Sequence, residues 1–243
     1  MTIIGIPLLM AYLRVQAAVL VFPALSERVV PVRVRAAIAM GLTPVALALA
    51  GETGRPVDVA LMDLTLLGLR EVLVGFLIAV PARIMALSLH VVTSAIGATT
   101  SLSQLIGTGT EAAPHPIGNL MHMAGLATLM AMGLPLLLVD LLSQSYMAFP
   151  VRQLSISGYI PAELIGLIVR SFVLALVLAS PFILGGLLYQ ALTGIVSRVM
   201  PTLPVVFIGA PAIIMLALTV LAILSPTILS AWANAVFDHA YSG

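Results

Sequence analysis

Apolar residues run along this chain in long blocks, and polar side chains gather in short gaps between them. Six blocks stand out, at about Ile3–Leu25, Val34–Ala50, Leu61–Leu105, Gly118–Phe149, Ala162–Met200 and Val205–Phe237. None alternates apolar with polar residues at period two, as a membrane barrel requires, so every block predicts helix. About 20 helical residues cross the ~30 Å hydrocarbon core of a bilayer. The last four blocks exceed that length, the first of them by roughly twofold at about 1.5 Å per residue. Each carries proline or glycine near its middle: Pro81, Gly133 with Pro135, Pro181 with Gly185 and Gly186, and Gly209 with Pro211. A helical proline removes a backbone donor and crowds the preceding turn, so kinks or breaks are expected at Pro81, Pro135, Pro181 and Pro211. The predicted fold class is an all-α membrane protein of long kinked helices and helical hairpins, forming one domain over residues 1–243.

Composition sharpens that picture. The chain is 61% hydrophobic and 8% charged, with a mean hydropathy of +1.21. An ordinary soluble domain is roughly 45–50% apolar and about 25% charged. Most of the surface must therefore meet lipid or other apolar helices. A net charge of +1 offers nothing to nucleic acid, and all ten basic residues are arginine. Cysteine is absent, which excludes thiol catalysis, cysteine-ligated zinc and disulfides. The first block lacks a basic start and is interrupted by Arg14, so it is expected to persist as a helix rather than serve as a cleaved signal. Arg28, Arg33 and Arg35 follow it, which puts that connection in the cytoplasm by the positive-inside rule. Both termini then lie outside if all six blocks cross.

Charges inside apolar helices are expensive and so draw a functional reading. The candidates are Arg14, Arg70, Glu71, Arg83, Asp140, Arg170 and Arg198. Arg70 and Glu71 are adjacent, so their side chains diverge by about 100° and no helical pair is expected between them. Pairing between helices or subunits, or snorkelling to an interface, outweighs a proton relay. His90, His115, His122 and His239 form no HExxH and have no carboxylate at helical spacing beside His122. No catalytic, metal or cofactor site is predicted, and the chain is not expected to be an enzyme.

The most polar gap is GTGTEAAPHPIG, Gly107–Gly118. Its glycines free the backbone and its prolines forbid continuous helix, so it breaks two long helices apart. Unsatisfied backbone cannot face lipid. An extramembrane turn and a re-entrant loop plugging a pore both satisfy that requirement. Met121 and Met123 follow closely, with the adaptable side chains that suit a seal.

Three stretches carry a resemblance. They are PALSERVVPVRVRAAIAMGLTP (Pro23–Pro44), REVLVGFLIAVPARIM (Arg70–Met85) and SPFILGGLLYQALTGIVSRVMPTLPVVFIGAP (Ser180–Pro211). In register they resemble the FliR family of flagellar biosynthesis proteins, over essentially the whole chain. The resemblance implies a core subunit of the type III export gate, assembled with FliP and FliQ and working with FlhB and FlhA. It implies kinked hairpins built into a helical gate assembly, at the flagellar basal body in the bacterial inner membrane. The implied substrates are unfolded flagellar proteins. By position, Gln104–Gly118 is then the channel plug, with Gln104, Gly107, Thr108, Gly109, Thr110, Glu111, Pro114, Pro116 and Gly118, and Met121 and Met123 at its edge. Arg14, Arg70, Glu71, Arg83, Arg170 and Arg198 are the candidates for contacts with neighbouring subunits. The equivalent subunit of a virulence injectisome shares this fold and job. A secondary transporter with broken helices is the rival of another class, and predicts function in isolation.

Overall fold

The computed structural model of the chain describes residues 5–51, 61–100, 116–151, 161–200 and 205–242. The described residues form helices and no strand: α1 (Gly5–Val21), α2 (Val32–Leu49), α3 (Leu61–Thr100), α4 (Pro116–Ala131), α5 (Leu134–Ala148), α6 (Pro161–Val199) and α7 (Val205–Ser242). The all-helical expectation holds. Four of these helices are long and apolar enough to cross a membrane, or five if the bent pair α4–α5 is one span. At 40, 39 and 38 residues, α3, α6 and α7 each reach about 60 Å, twice a bilayer core.

The fourth apolar block divides where its glycine and proline stand. α4 and α5 are bent by 62°, and Gly133 between them has φ 98°, a left-handed conformation open to glycine without steric cost. Pro135 follows in the first turn of α5, where a missing amide leaves no helical bond unmade. Five further prolines lie inside unbroken helices: Pro44 in α2, Pro81 in α3, Pro181 in α6, Pro211 and Pro226 in α7. Pro181 shows how continuity is kept. A proline leaves the carbonyl four residues earlier without its donor. Here that carbonyl belongs to Val177, and the Ser180 hydroxyl donates to it at 2.7 Å.

The chain packs as two compact units. The first takes residues 1–86, 130–168 and 236–243. In it α1 packs on α2, and α2 also touches α5. Val15, Ala18, Val19, Phe22, Leu137 and Leu142 are buried there. The second takes residues 87–129 and 169–235. Its centre is Trp232 of α7, fully buried, with Leu89 and Ile96 of α3 and Leu129 of α4. Gly125 lets α4 close onto this centre: a Cβ there would collide with Leu89 and stand 3.2 Å from the Trp232 ring.

Candidate functional site: a buried arginine–glutamate cluster

Among the described residues of the first unit, three charged side chains are withdrawn from solvent: Arg14 on α1 at 0%, Arg70 on α3 at 3% and Glu71 at 0% exposure. Removing such ions from water costs several kcal/mol each unless partners replace the hydration, about 3–5 kcal/mol appearing when one partner of a pair is deleted. Glu71 gives up both oxygens. Arg14 Nε donates to its Oε2 at 2.6 Å, and Arg70 Nη1 to its Oε1 at 2.7 Å. The remaining guanidinium edges turn to the C-terminal end of α5. Arg14 Nη1 donates to Ser145 Oγ at 3.2 Å and Nη2 to the Phe149 carbonyl at 3.0 Å. Arg70 Nη2 donates to the Pro150 carbonyl at 2.9 Å. Carbonyls at a helix C-terminus lack internal donors and carry partial negative charge, so the two arginines cap α5. The Arg14 Cζ also lies 4.0 Å from the centre of the Tyr146 ring, a cation–π contact strengthened by desolvation.

Small residues bring these groups together. Gly75 stands one turn beyond Glu71 on α3, directly against the Arg14 backbone. A Cβ at Gly75 would collide with the Arg14 carbonyl oxygen and lie 3.0 Å from Ala17 Cβ. At Gly68 a Cβ would stand 3.3 Å from Leu13 Cδ1. The two helices therefore approach at backbone distance, as membrane helices do through small side chains. Residues 57 positions apart in sequence become an ion pair.

One expectation from the sequence is corrected here. Arg70 and Glu71 do pair, although they are adjacent. Angular divergence sets where the two side chains leave the helix, and the long guanidinium arm folds back because burial leaves Glu71 as its strongest acceptor. Arg14, Arg70, Glu71 and Arg83 each have partners inside the chain. Arg83 Nη1 donates to Ser26 Oγ and to Glu27 Oε1, each at 2.8 Å. Arg35 Nη2 donates to the Glu27 carbonyl. Together they fasten the connector between α1 and α2, in which Ala24 holds a positive φ of 64°. Arg170 and Arg198 on α6 are exposed.

The other predicted residues are dispersed. Gln104, Gly107, Thr108, Gly109, Thr110, Glu111 and Pro114 lie outside the described residues. Pro116 opens α4 and Gly118 is buried in its first turn. Met121 is buried while Met123 is 37% exposed. His90 of α3 and His122 of α4 stack with ring centres 4.2 Å apart, a contact across 32 positions that no local spacing announces. Sequence reasoning missed Gly75, Ser145, Tyr146 and the α5 carbonyls. The one signal available was Gly75 four residues after Glu71 in REVLVG. Both Glu71 oxygens are engaged by arginines, so the cluster fastens helices.

Comparison with known proteins adds to this geometry. The model of a family described as bacterial export proteins, family 1, matches residues 6–239. The flagellar biosynthetic protein FliR of Caulobacter vibrioides is 27% identical over 227 residues, covering 93% of this chain and 90% of that protein.

Proposed function

This chain belongs to the bacterial export proteins, family 1, and from that premise we propose that it is a core subunit of the flagellar type III protein export gate. The observation that carries the reading is the span of the family match, residues 6–239, nearly the whole chain. The flagellar name of the Caulobacter relative supports the flagellar form over the injectisome form. With FliP and FliQ the chain builds a channel for unfolded flagellar proteins, and FlhB and FlhA adjoin it. The assembly sits in the inner membrane at the flagellar basal body.

Physical support comes from α6. Phe172, Leu184, Leu188 and Val199 are each more than half exposed along its length. Lipid can cover about 20 residues of such a helix. α6 has 39, so the remainder needs protein neighbours. In this reading the segment Gln104–Gly118 blocks the channel at rest, and Met121 and Met123 close around it. Arg170 and Arg198 meet neighbouring subunits. Proton-motive force and nucleotide hydrolysis are supplied by other components of the machine.

Deleting Gly107–Pro114 tests the plug. Membrane ion leak should rise while the assembled complex still exports. An unchanged leak in an assembled complex contradicts it. Disruption of the gene should abolish motility and retain flagellar proteins in the cell; loss of effector secretion with intact motility would point to the injectisome instead.

A further inference from the structure

Along the α1–α2 pair an apolar groove runs below a basic end. The groove, of about 420 Å³, is lined by Leu8, Leu9 and Tyr12 of α1 and by Met40 and Pro44 of α2. Thr43 lines it too, but its hydroxyl is spent on the Ala39 carbonyl at 2.7 Å. Leu8, Leu9 and Met40 are exposed, so the walls offer hydrocarbon to whatever lies outside. Arg33, Met40 and Pro44 stand at i, i+7 and i+11 of α2, within about 40° of one line along the helix. Met40 lies about 10 Å and Pro44 about 16 Å from Arg33 along that line. α2 is long and apolar enough to cross a membrane. With Arg33 of its first turn among the headgroups, the groove opens at the depth of the acyl chains.

The basic end has cations to offer. Arg28 and Arg33 are exposed, and among the described residues neither makes an ion pair. Glu27 beside them is already held, by Arg83 through its carboxylate and by Arg35 through its carbonyl. Val29, Val32 and Val34 flank these arginines and are exposed as well, a mixture of apolar and cationic side chains suited to a lipid interface. We propose that this face binds one anionic phospholipid, its phosphate on Arg33 and one acyl chain running down to Met40 and Pro44. Arg28 adds a second positive charge to the same end of the helix pair. A zwitterionic lipid would fill the groove as well but brings its own cation to the arginines, so the charge selects the anionic class. The site is independent of what the chain exports.

The test uses the full chain, with whatever subunits co-purify, in nanodiscs of phosphatidylglycerol and phosphatidylcholine in equal parts. Phosphatidylglycerol with a photoreactive group near the middle of one acyl chain should crosslink to Leu9 or Met40, read by mass spectrometry of the peptides. Phosphatidylcholine carrying the same group should label them several-fold less. Arg33→Gln should lower the phosphatidylglycerol label about fivefold, the worth of one arginine at an anionic lipid surface, and Arg33→Lys should restore it. Leu9→Trp fills the groove, keeps the arginines and should remove the label at Met40. Equal labelling by the two lipids, or labelling at Met40 no stronger than at the exposed Leu184 and Leu188 of α6, overturns the proposal, because the lipid is then an unselected part of the bilayer. A label unchanged in Arg33→Gln overturns it too. So does the absence of label at both Leu9 and Met40 from either lipid, because the groove is then covered by protein.

Discussion

Gly75→Ala adds one methyl group, and the structure says that it lands on backbone. The new Cβ would run into the Arg14 carbonyl oxygen and stand 3.0 Å from both the Arg14 carbonyl carbon and Ala17 Cβ. Carbon atoms rest at about 3.5–4.0 Å, and a helical backbone cannot rotate away as a side chain can. α1 must retreat by about 1 Å, which strains the 2.6 Å Arg14–Glu71 bond as well. Overpacking typically costs about 1–3 kcal/mol, and a clash with backbone belongs at the upper end. The substitution also gains up to about 1 kcal/mol of helix propensity. The net expectation is a loss of about 2 kcal/mol, or roughly 4–8 °C in unfolding midpoint for a chain of this size. Gly41→Ala supplies an internal control, because a Cβ at Gly41 in α2 meets nothing within 4 Å. It should be neutral or stabilising. Thermal unfolding of the two variants in the same detergent or nanodisc decides the matter. If Gly75→Ala behaves like Gly41→Ala, the close approach of α1 and α3 is wrong.

Other outcomes follow from the same geometry. Glu71→Gln leaves two buried guanidinium groups without their carboxylate and should cost about 3–5 kcal/mol in chemical or thermal unfolding; a loss under about 1 kcal/mol would mean the cluster is hydrated. Ser180→Ala leaves the Val177 carbonyl without its donor and should cost about 1–3 kcal/mol, with Ser180→Thr restoring most of it; equal stability of all three proteins would show that the hydroxyl is dispensable. Gly133→Ala must hold φ 98° with a side chain, at about 1–2 kcal/mol, and should open the α4–α5 bend in distance measurements between spin labels.

The fold class and element order were legible because they rest on local signals. Block lengths and the absence of period-two alternation specify helices, and Gly133 with Pro135 announces a break that falls between Ala131 and Leu134. Helix faces were not legible. Apolar residues surround α3, α6 and α7 on all sides, so no stripe marks the buried side, and only the place of Gly75 one turn after Glu71 set it apart from other small residues in an apolar run. The charge cluster escaped for a related reason. Its acceptors are a carboxylate 57 residues from Arg14 and main-chain carbonyls, which every residue has. Helical geometry taken one helix at a time separated Arg70 from Glu71, and only packing against α1 joins them.

Native mass spectrometry of the chain extracted from its own membranes bears most directly on the account. The long helices α6 and α7 leave too much apolar surface for lipid alone, so the chain should be recovered with several copies of other small apolar proteins bound to it. A stable, solitary chain that needs no companion in detergent would contradict the assignment as a gate subunit.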